Sequence, residues 1–215
     1  MAGHFIHTEM LQAGVTYAAY LAAWEKKLND AVPETLSEAE RTSWEYRKLN
    51  FQRSQRVQKT YKMPEALHSA VAAIDQPQLW MVITEDWCGD SAQTLPVIAA
   101  IASINELIEL KIIYRDAHPE IMDTYLTEGK RAIPVLVTFD ESGRELFRWG
   151  PRPESAAALV RDSQAQGLTK TEFYPKLHLW YGRDRGKTVS EEFLELLQQS
   201  ASELPIASPT LEITA

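Results

Sequence analysis

From Leu79 onward, short apolar runs of strand length alternate with longer helical segments. That succession restricts the fold more than any other feature of the chain. Leu79–Thr84 is an apolar run suited to a buried strand, and Asp90–Ile104 reads as helix. Leu110–Tyr114 is a second strand, followed by a short helix from Pro119 to about Thr127. Val135–Phe139 and Glu145–Trp149 are two further strands, separated by Asp140-Glu141-Ser142-Gly143, a turn composition that makes a hairpin. Glu154–Ser163 closes the series as a helix. The order β-α-β-α-β-β-α predicts an α/β fold with a central mixed four-stranded sheet and helices on both faces. Strands joined through helices are expected to run parallel with right-handed crossovers, and the hairpin adds an antiparallel pair.

Helices flank this core. Tyr17, Leu21, Trp24 and Leu28 mark one face of a helix expected over Thr8–Asn29, ended by Asn29, Asp30 and Pro33. Ser37 and Glu40 form a capping box that opens a second helix, Glu38–Tyr61. Pro64 opens a third, to about Ile74. Beyond Gly167, helices are expected over Glu172–Tyr181 and Val189–Ser200, with an extended tail from Ser202 carrying Pro205 and Pro209. The 215 residues thus divide into an N-terminal helical extension packing on the core (1–76), a core (77–165), and C-terminal helices with a tail (166–215). The segment Gly182–Thr188 imitates a phosphate-binding loop. It has one residue too few between its glycines and follows no strand, so it reads as a polar turn between helices.

Hydrophobic residues make up 45% of the chain and charged residues 24%, enough for a folded core. The net charge of −8 argues against a nucleic-acid footprint. The charge is uneven: Arg41–Lys62 carries +6 and the rest of the chain −14. The longest nearly apolar run, Leu95–Ile104, contains Pro96 and falls far short of the ~20 residues of a spanning helix, so no membrane partner is expected. Residues 1–8 show no secretory pattern, which makes the cytoplasm the expected compartment. The five histidines are scattered without metal-ligand spacing, so no metal site is predicted and none of them is placed beside the cysteine. The sequence carries no signal for oligomeric state.

Cys88 is the one cysteine, which excludes an intrachain disulfide or a multi-cysteine metal site. It lies in Glu85-Asp86-Trp87-Cys88-Gly89-Asp90-Ser91, where a strand ends and a helix begins. Unpaired N–H groups and the helix dipole favour a thiolate there, and such positions lower a cysteine pKa from ~8.5. The Ser91 hydroxyl, one turn on, is a candidate hydrogen-bond donor to the sulfur. Asp90 opposes the effect by charge repulsion. The balance predicts a moderately depressed pKa.

These residues resemble the active site of the thioredoxin superfamily, Trp-Cys-Gly-Pro-Cys, which stands here as Trp87-Cys88-Gly89-Asp90-Ser91. The resemblance extends to Pro96, eight residues past the cysteine, to Pro134 at the place of the family's cis-proline, and to Gly150 closing the last strand. It covers about Leu79–Val160 and, more narrowly, is similar to a bacterial branch with Trp-Cys-Gly-Asp and added helices. It implies that Cys88 is the nucleophile, with Ser91 at the position of the resolving cysteine. Val82 stands where many thioredoxins carry a buried acid. Trp87, Gly89, Asp90, Ile133 and Pro134 are then the expected substrate groove, the Ile133 backbone pairing with an extended substrate.

Without a second thiol, the expected chemistry is monothiol exchange with protein or small-molecule thiols and disulfides. Release falls to an external low-molecular-weight thiol, and no bound cofactor is required. A non-catalytic binding module on the same fold is the alternative. An iron–sulfur carrier of the monothiol glutaredoxin kind is disfavoured by Gly89-Asp90-Ser91, where that family has Gly-Phe-Ser. For the basic helix, a solvated face is the simpler reading. The sharper one makes Arg53, Arg56 or Lys59 an anion-binding group beside Cys88.

Overall fold

Every residue of Leu79–Thr84 is buried, which requires cover on both faces of the strand and explains its continuous apolar character. The computed structural model describes residues 12–203. In chain order these form α1 (Tyr17–Asp30), a short 3-10 turn (Pro33–Thr35), α2 (Glu38–Thr60), α3 (Glu65–Ala72), β1 (Gln78–Thr84) and α4 (Ser91–Ala102). Then follow β2 (Ile108–Tyr114), α5 (Pro119–Thr124), β3 (Val135–Asp140), β4 (Glu145–Trp149), α6 (Glu154–Ala165), α7 (Lys170–Asp184) and α8 (Lys187–Glu203).

The sheet is four-stranded, ordered β2-β1-β3-β4. β1 and β2 pair in parallel, while β3 is antiparallel to both β1 and β4. The expectation that helix-linked strands run parallel therefore holds for β1 and β2 and fails for β2 and β3. β3 inserts on the far side of β1, so the connection through α5 crosses the sheet end and returns in the opposite sense. The Asp140 carboxylate organises the hairpin turn, accepting from the backbone N–H groups of Ser142 and Arg144 at 3.0 Å each.

Alternation along β1 divides the core. Trp80 and Val82 join Ile112, Leu136, Phe147 and the inner face of α4 on one side. Leu79, Met81 and Ile83 join Ile121, Met122, Val135 and Val137 on the other. α4 is buried along most of its length and packs against α2. The last helix reaches into the first layer: Phe193 is fully buried among Trp80, Phe147 and Trp149, with ring centroids 5.5–6.4 Å apart. α6 and α7 share a third cluster of Ala156, Val160, Phe173, Leu177 and Tyr181.

The capping box at Ser37 and Glu40 is present. The first helix starts later than periodicity implies. Thr16 caps it, accepting from the Ala19 N–H at 3.1 Å. Val15 instead bridges the free edge of β2, exchanging hydrogen bonds with Ile112 at 2.8 and 2.9 Å. A β-branched residue followed by a capping threonine thus covers an edge strand rather than extending a helix. The part of the expected helix before residue 12 lies outside the described residues. Ser202 and Glu203 belong to α8, and the rest of the expected tail lies outside the described residues. No described helix is long and apolar enough to cross a membrane.

Truncating Phe193→Ala removes the ring that joins α8 to the sheet. Urea unfolding is expected to show a loss of about 3–5 kcal/mol, the cost of a large-to-small change at a fully buried aromatic.

Candidate active site

Cys88 sits where the chain leaves β1 and turns into α4, and it is only 6% exposed. Its thiol donates to the Ile133 carbonyl at 3.3 Å, and the Ser91 N–H approaches the sulfur at 3.5 Å. The Ile133–Pro134 peptide is cis, as the resemblance implies. Gly150 is needed opposite it: with φ at +120°, a Cβ there would lie 2.3 Å from the Pro134 carbonyl oxygen. A second cis peptide, Gly150–Pro151, follows.

The thiol is not the activated group its helix position predicts. Burial pushes Cys88 up to about 11, and the nearby Asp90 carboxylate adds to the rise. The Ser91 hydroxyl and backbone N–H pull the other way without overcoming it. The expected depression is thus reversed, because desolvation at a nearly enclosed sulfur outweighs the Ser91 hydroxyl and the N–H groups of Asp90 and Ser91. Ser91 is fully inside, its hydroxyl accepting from Thr84 Oγ1.

Asp90 is itself buried at the start of α4. Arg152 Nη2 lies 2.6 Å from one carboxylate oxygen, and Tyr181 Oη donates to the other at 2.8 Å. Burial raises its pKa, while Arg152 and Tyr181 hold it down. Asp86, on the other flank of Cys88, accepts from Lys27 Nζ at 2.8 Å and Arg47 Nε at 2.7 Å. The Trp87 carbonyl accepts from Asn50 Nδ2 at 3.1 Å. The Cys88 loop is therefore tied to α1 and α2 on one side and to α7 on the other.

A cleft of about 240 Å³ opens beside the sulfur. Trp87, Cys88, Gly89, Asp90 and Ile133 line it, so these expected site residues do come together. Ser91 and Pro134 stand behind it, Ser91 bonded toward the sulfur and Pro134 holding Ile133. Arg53 and Arg56 are not among the lining residues, which corrects the anion-site expectation. Arg53 donates to Asn50 Oδ1 at 2.8 Å and lies over the Tyr46 ring, Arg56 reaches Gln93 Oε1 at 3.2 Å, and Lys59 is exposed. Arg53 thus braces the loop through Asn50, which donates to the Trp87 carbonyl, and Arg56 ties α2 to α4.

The lining cations are instead Arg115, Arg131 and Arg152. Sequence reasoning missed them, although Arg131 stands three residues before Pro134 and Arg152 two after Gly150. Arg115 directly follows a parallel strand, at the sheet end where α/β sites form. Tyr46 and Tyr174 complete the wall from α2 and α7. His178 also lies at the loop: a Cβ on Gly89 would be 3.1 Å from its ring and 2.7 Å from Tyr46 Oη. Burial, with Arg53 and Arg56 nearby, pulls His178 down to about 4, so it is neutral at physiological pH. Nothing in the sequence brings α7 residues to this loop. Among the described residues, no three His, Cys, Asp or Glu side chains gather in metal-binding geometry.

A mixed sheet, a cysteine in the turn just ahead of a buried helix, and the carbonyl that precedes a cis-proline facing its sulfur together define a thioredoxin-like fold. The family profile described as Thioredoxin matches residues 37–166, and the chain belongs to that family. No curated protein matches the sequence. Among solved structures, an HIV epitope-scaffold is similar at 18% identity and a TM-score of 0.57, over 89% of this chain and 97% of that one. A protein of unknown function from Pseudomonas aeruginosa is similar at 16% identity and a TM-score of 0.54, over 91% and 94%. At such identities the likeness is one of fold.

Replacing Asp90→Asn removes the charge next to the sulfur and leaves Arg152 without its anion. Thiol alkylation near neutral pH is expected to speed up, reflecting a lower Cys88 pKa. Chemical denaturation is expected to show a loss of roughly 1–3 kcal/mol for the partner left unpaired. An unchanged alkylation rate would show that the sulfur does not feel Asp90.

Proposed function

We propose that this chain is a monothiol redox protein of the thioredoxin family, exchanging thiols and disulfides through Cys88 in a reducing, cytoplasmic setting. The observation that carries the reading is the Cys88 sulfur facing the Ile133 carbonyl beside an open cleft, with Ser91 in the place of a resolving thiol. Cys88 attacks a disulfide and becomes half of a mixed disulfide. Ser91 lacks the thiol that would release it, so an external low-molecular-weight thiol completes the cycle. Trp87, Gly89 and Ile133 shape the space the substrate sulfur enters.

The raised Cys88 pKa sets the pH dependence. The thiolate is the reacting form, and its fraction grows about tenfold per pH unit below the pKa. Alkylation by a small uncharged reagent is therefore expected to rise steadily across neutral and mildly alkaline pH, with no plateau until near 11. A plateau near neutrality would mean that the thiol is activated at rest. The same burial supports a second reading, in which the fold keeps its groove for binding without turnover. That reading predicts no mixed disulfide by intact mass after incubation with any low-molecular-weight disulfide, whereas exchange predicts a stoichiometric adduct that added thiol removes.

Ser91→Cys supplies the missing partner next to the sulfur. The variant is expected to form a disulfide with Cys88 on mild oxidation and to gain insulin-disulfide reduction with a dithiol reductant. The natural protein is expected to show little such turnover. Brisk insulin reduction by the natural protein would contradict the role assigned to Ser91.

A further inference from the structure

The cleft beside Cys88 has a charge opposite to that of the chain. Three arginines and one aspartate line it, in a protein whose net charge is −8. The Arg115 guanidinium lies 4.6 Å from the centre of the Trp87 ring, which holds it beside the residue preceding the nucleophile. Its outward partner is Asp116, whose side chain is 56% exposed. Arg131 grips Asp123 with two hydrogen bonds of 2.7 Å, and both side chains are about half exposed. Exposed pairs of this kind contribute little and exchange readily, so a ligand carboxylate competes on even terms. Arg152 differs, because Asp90 holds its tip while its Nε is buried with no partner. The cleft therefore offers the Arg131 fork, held only by an exposed pair, beside Arg115, which also donates to the Arg131 carbonyl at 3.3 Å, while Arg152 stays committed to Asp90.

Its size sets a second limit. Cys88 is 6% exposed, Tyr46 and Tyr174 wall the opening, and the Ile133 carbonyl is already engaged by the thiol. The volume of about 240 Å³ lies below the range typical of drug-sized ligands.

We propose that the Cys88 cleft selects small disulfides bearing carboxylates, with Arg115 and Arg131 taking the anionic groups while the sulfur enters beside Ile133. This rests on the exchange reading above and names its substrate class. In the step, the Cys88 sulfur bonds to one sulfur of the disulfide and the S–S bond breaks. The departing thiolate leaves carrying the proton that Cys88 loses. A second small thiol then attacks the bound substrate sulfur, regenerating the Cys88 thiol and forming a new small disulfide. In each half-step one sulfur is oxidised by one unit and another is reduced by one, so the exchange balances and no other oxidant or reductant enters.

The test compares a dicarboxylate bis-nitrobenzoate disulfide with a neutral dipyridyl disulfide, each rate divided by that of a small uncharged thiol. The natural protein is expected to prefer the anionic reagent about tenfold, the low end of electrostatic steering, and salt should erode the preference. Arg115→Gln with Arg131→Gln should bring the ratio of the two reagents close to one. A ratio near one in the natural protein, or a preference untouched by the double substitution and by salt, overturns the proposal. So does reduction of insulin at a rate comparable with the small disulfides. If neither reagent reacts at alkaline pH, the exchange reading fails, and calorimetry of S-methylglutathione with Cys88→Ser decides the anion site alone. Salt-sensitive binding lost in the arginine variants upholds the site, and absence of binding removes it.

Discussion

A carboxylate taken out of water at the start of a helix has to be given partners. Asp90 receives them from two other parts of the chain: Arg152 from the loop after β4 and Tyr181 from α7. Much of the candidate site depends on that triangle. It seats the first turn of α4, draws α7 onto the loop, and brings Tyr174 and His178 next to Gly89. Gly89 has no side chain because the Tyr46 hydroxyl and the His178 ring occupy the space one would fill. A thioredoxin-type proline at this position would need none of these contacts. With aspartate there, the helices beyond the core become part of the site.

The same burial decides the state of Cys88. A helix start offers N–H groups to a thiolate, and Ser91 supplies one here at 3.5 Å. Against it stand nearly complete enclosure and a carboxylate two residues away, and enclosure is the larger influence. The resting protein therefore holds a neutral thiol, donating to Ile133.

The linear sequence makes the strand and helix order legible because each element carries its own period or composition. Cys88, Ile133 and Pro134 could be assigned to one site only because they match the motifs of the thioredoxin superfamily, which carry the juxtaposition that the residues alone do not show. The direction of β3 could not be read: a connection through a short helix looks alike whether the chain returns beside the last strand or crosses to the other side of β1. The basic helix shows the same limit. Its charge suggested an anion site, yet Arg47 is consumed by Asp86 and Arg53 by Asn50. Which cation faces which carboxylate is fixed by helix rotation, and composition does not record rotation. Tyr174, His178 and Tyr181 were invisible as site residues for a similar reason, since only the docking of α7 brings them to a loop some ninety positions earlier.

The loop around Cys88 is held from both sides by charged groups on helices outside the strand-helix core. Lys27 and Arg47 fix Asp86 from α1 and α2, while Arg152 and Tyr181 fix Asp90 from beyond β4. A thiol in an open groove gains access to any disulfide that can lie across the sheet end. A thiol in a loop pinned at both flanks and walled by Tyr46 and Tyr174 is reached only through the space those pins leave. The added helices therefore shape the cleft as well as the core. They narrow the approach to the sulfur, and Arg115, Arg131 and Arg152 line the space that is left.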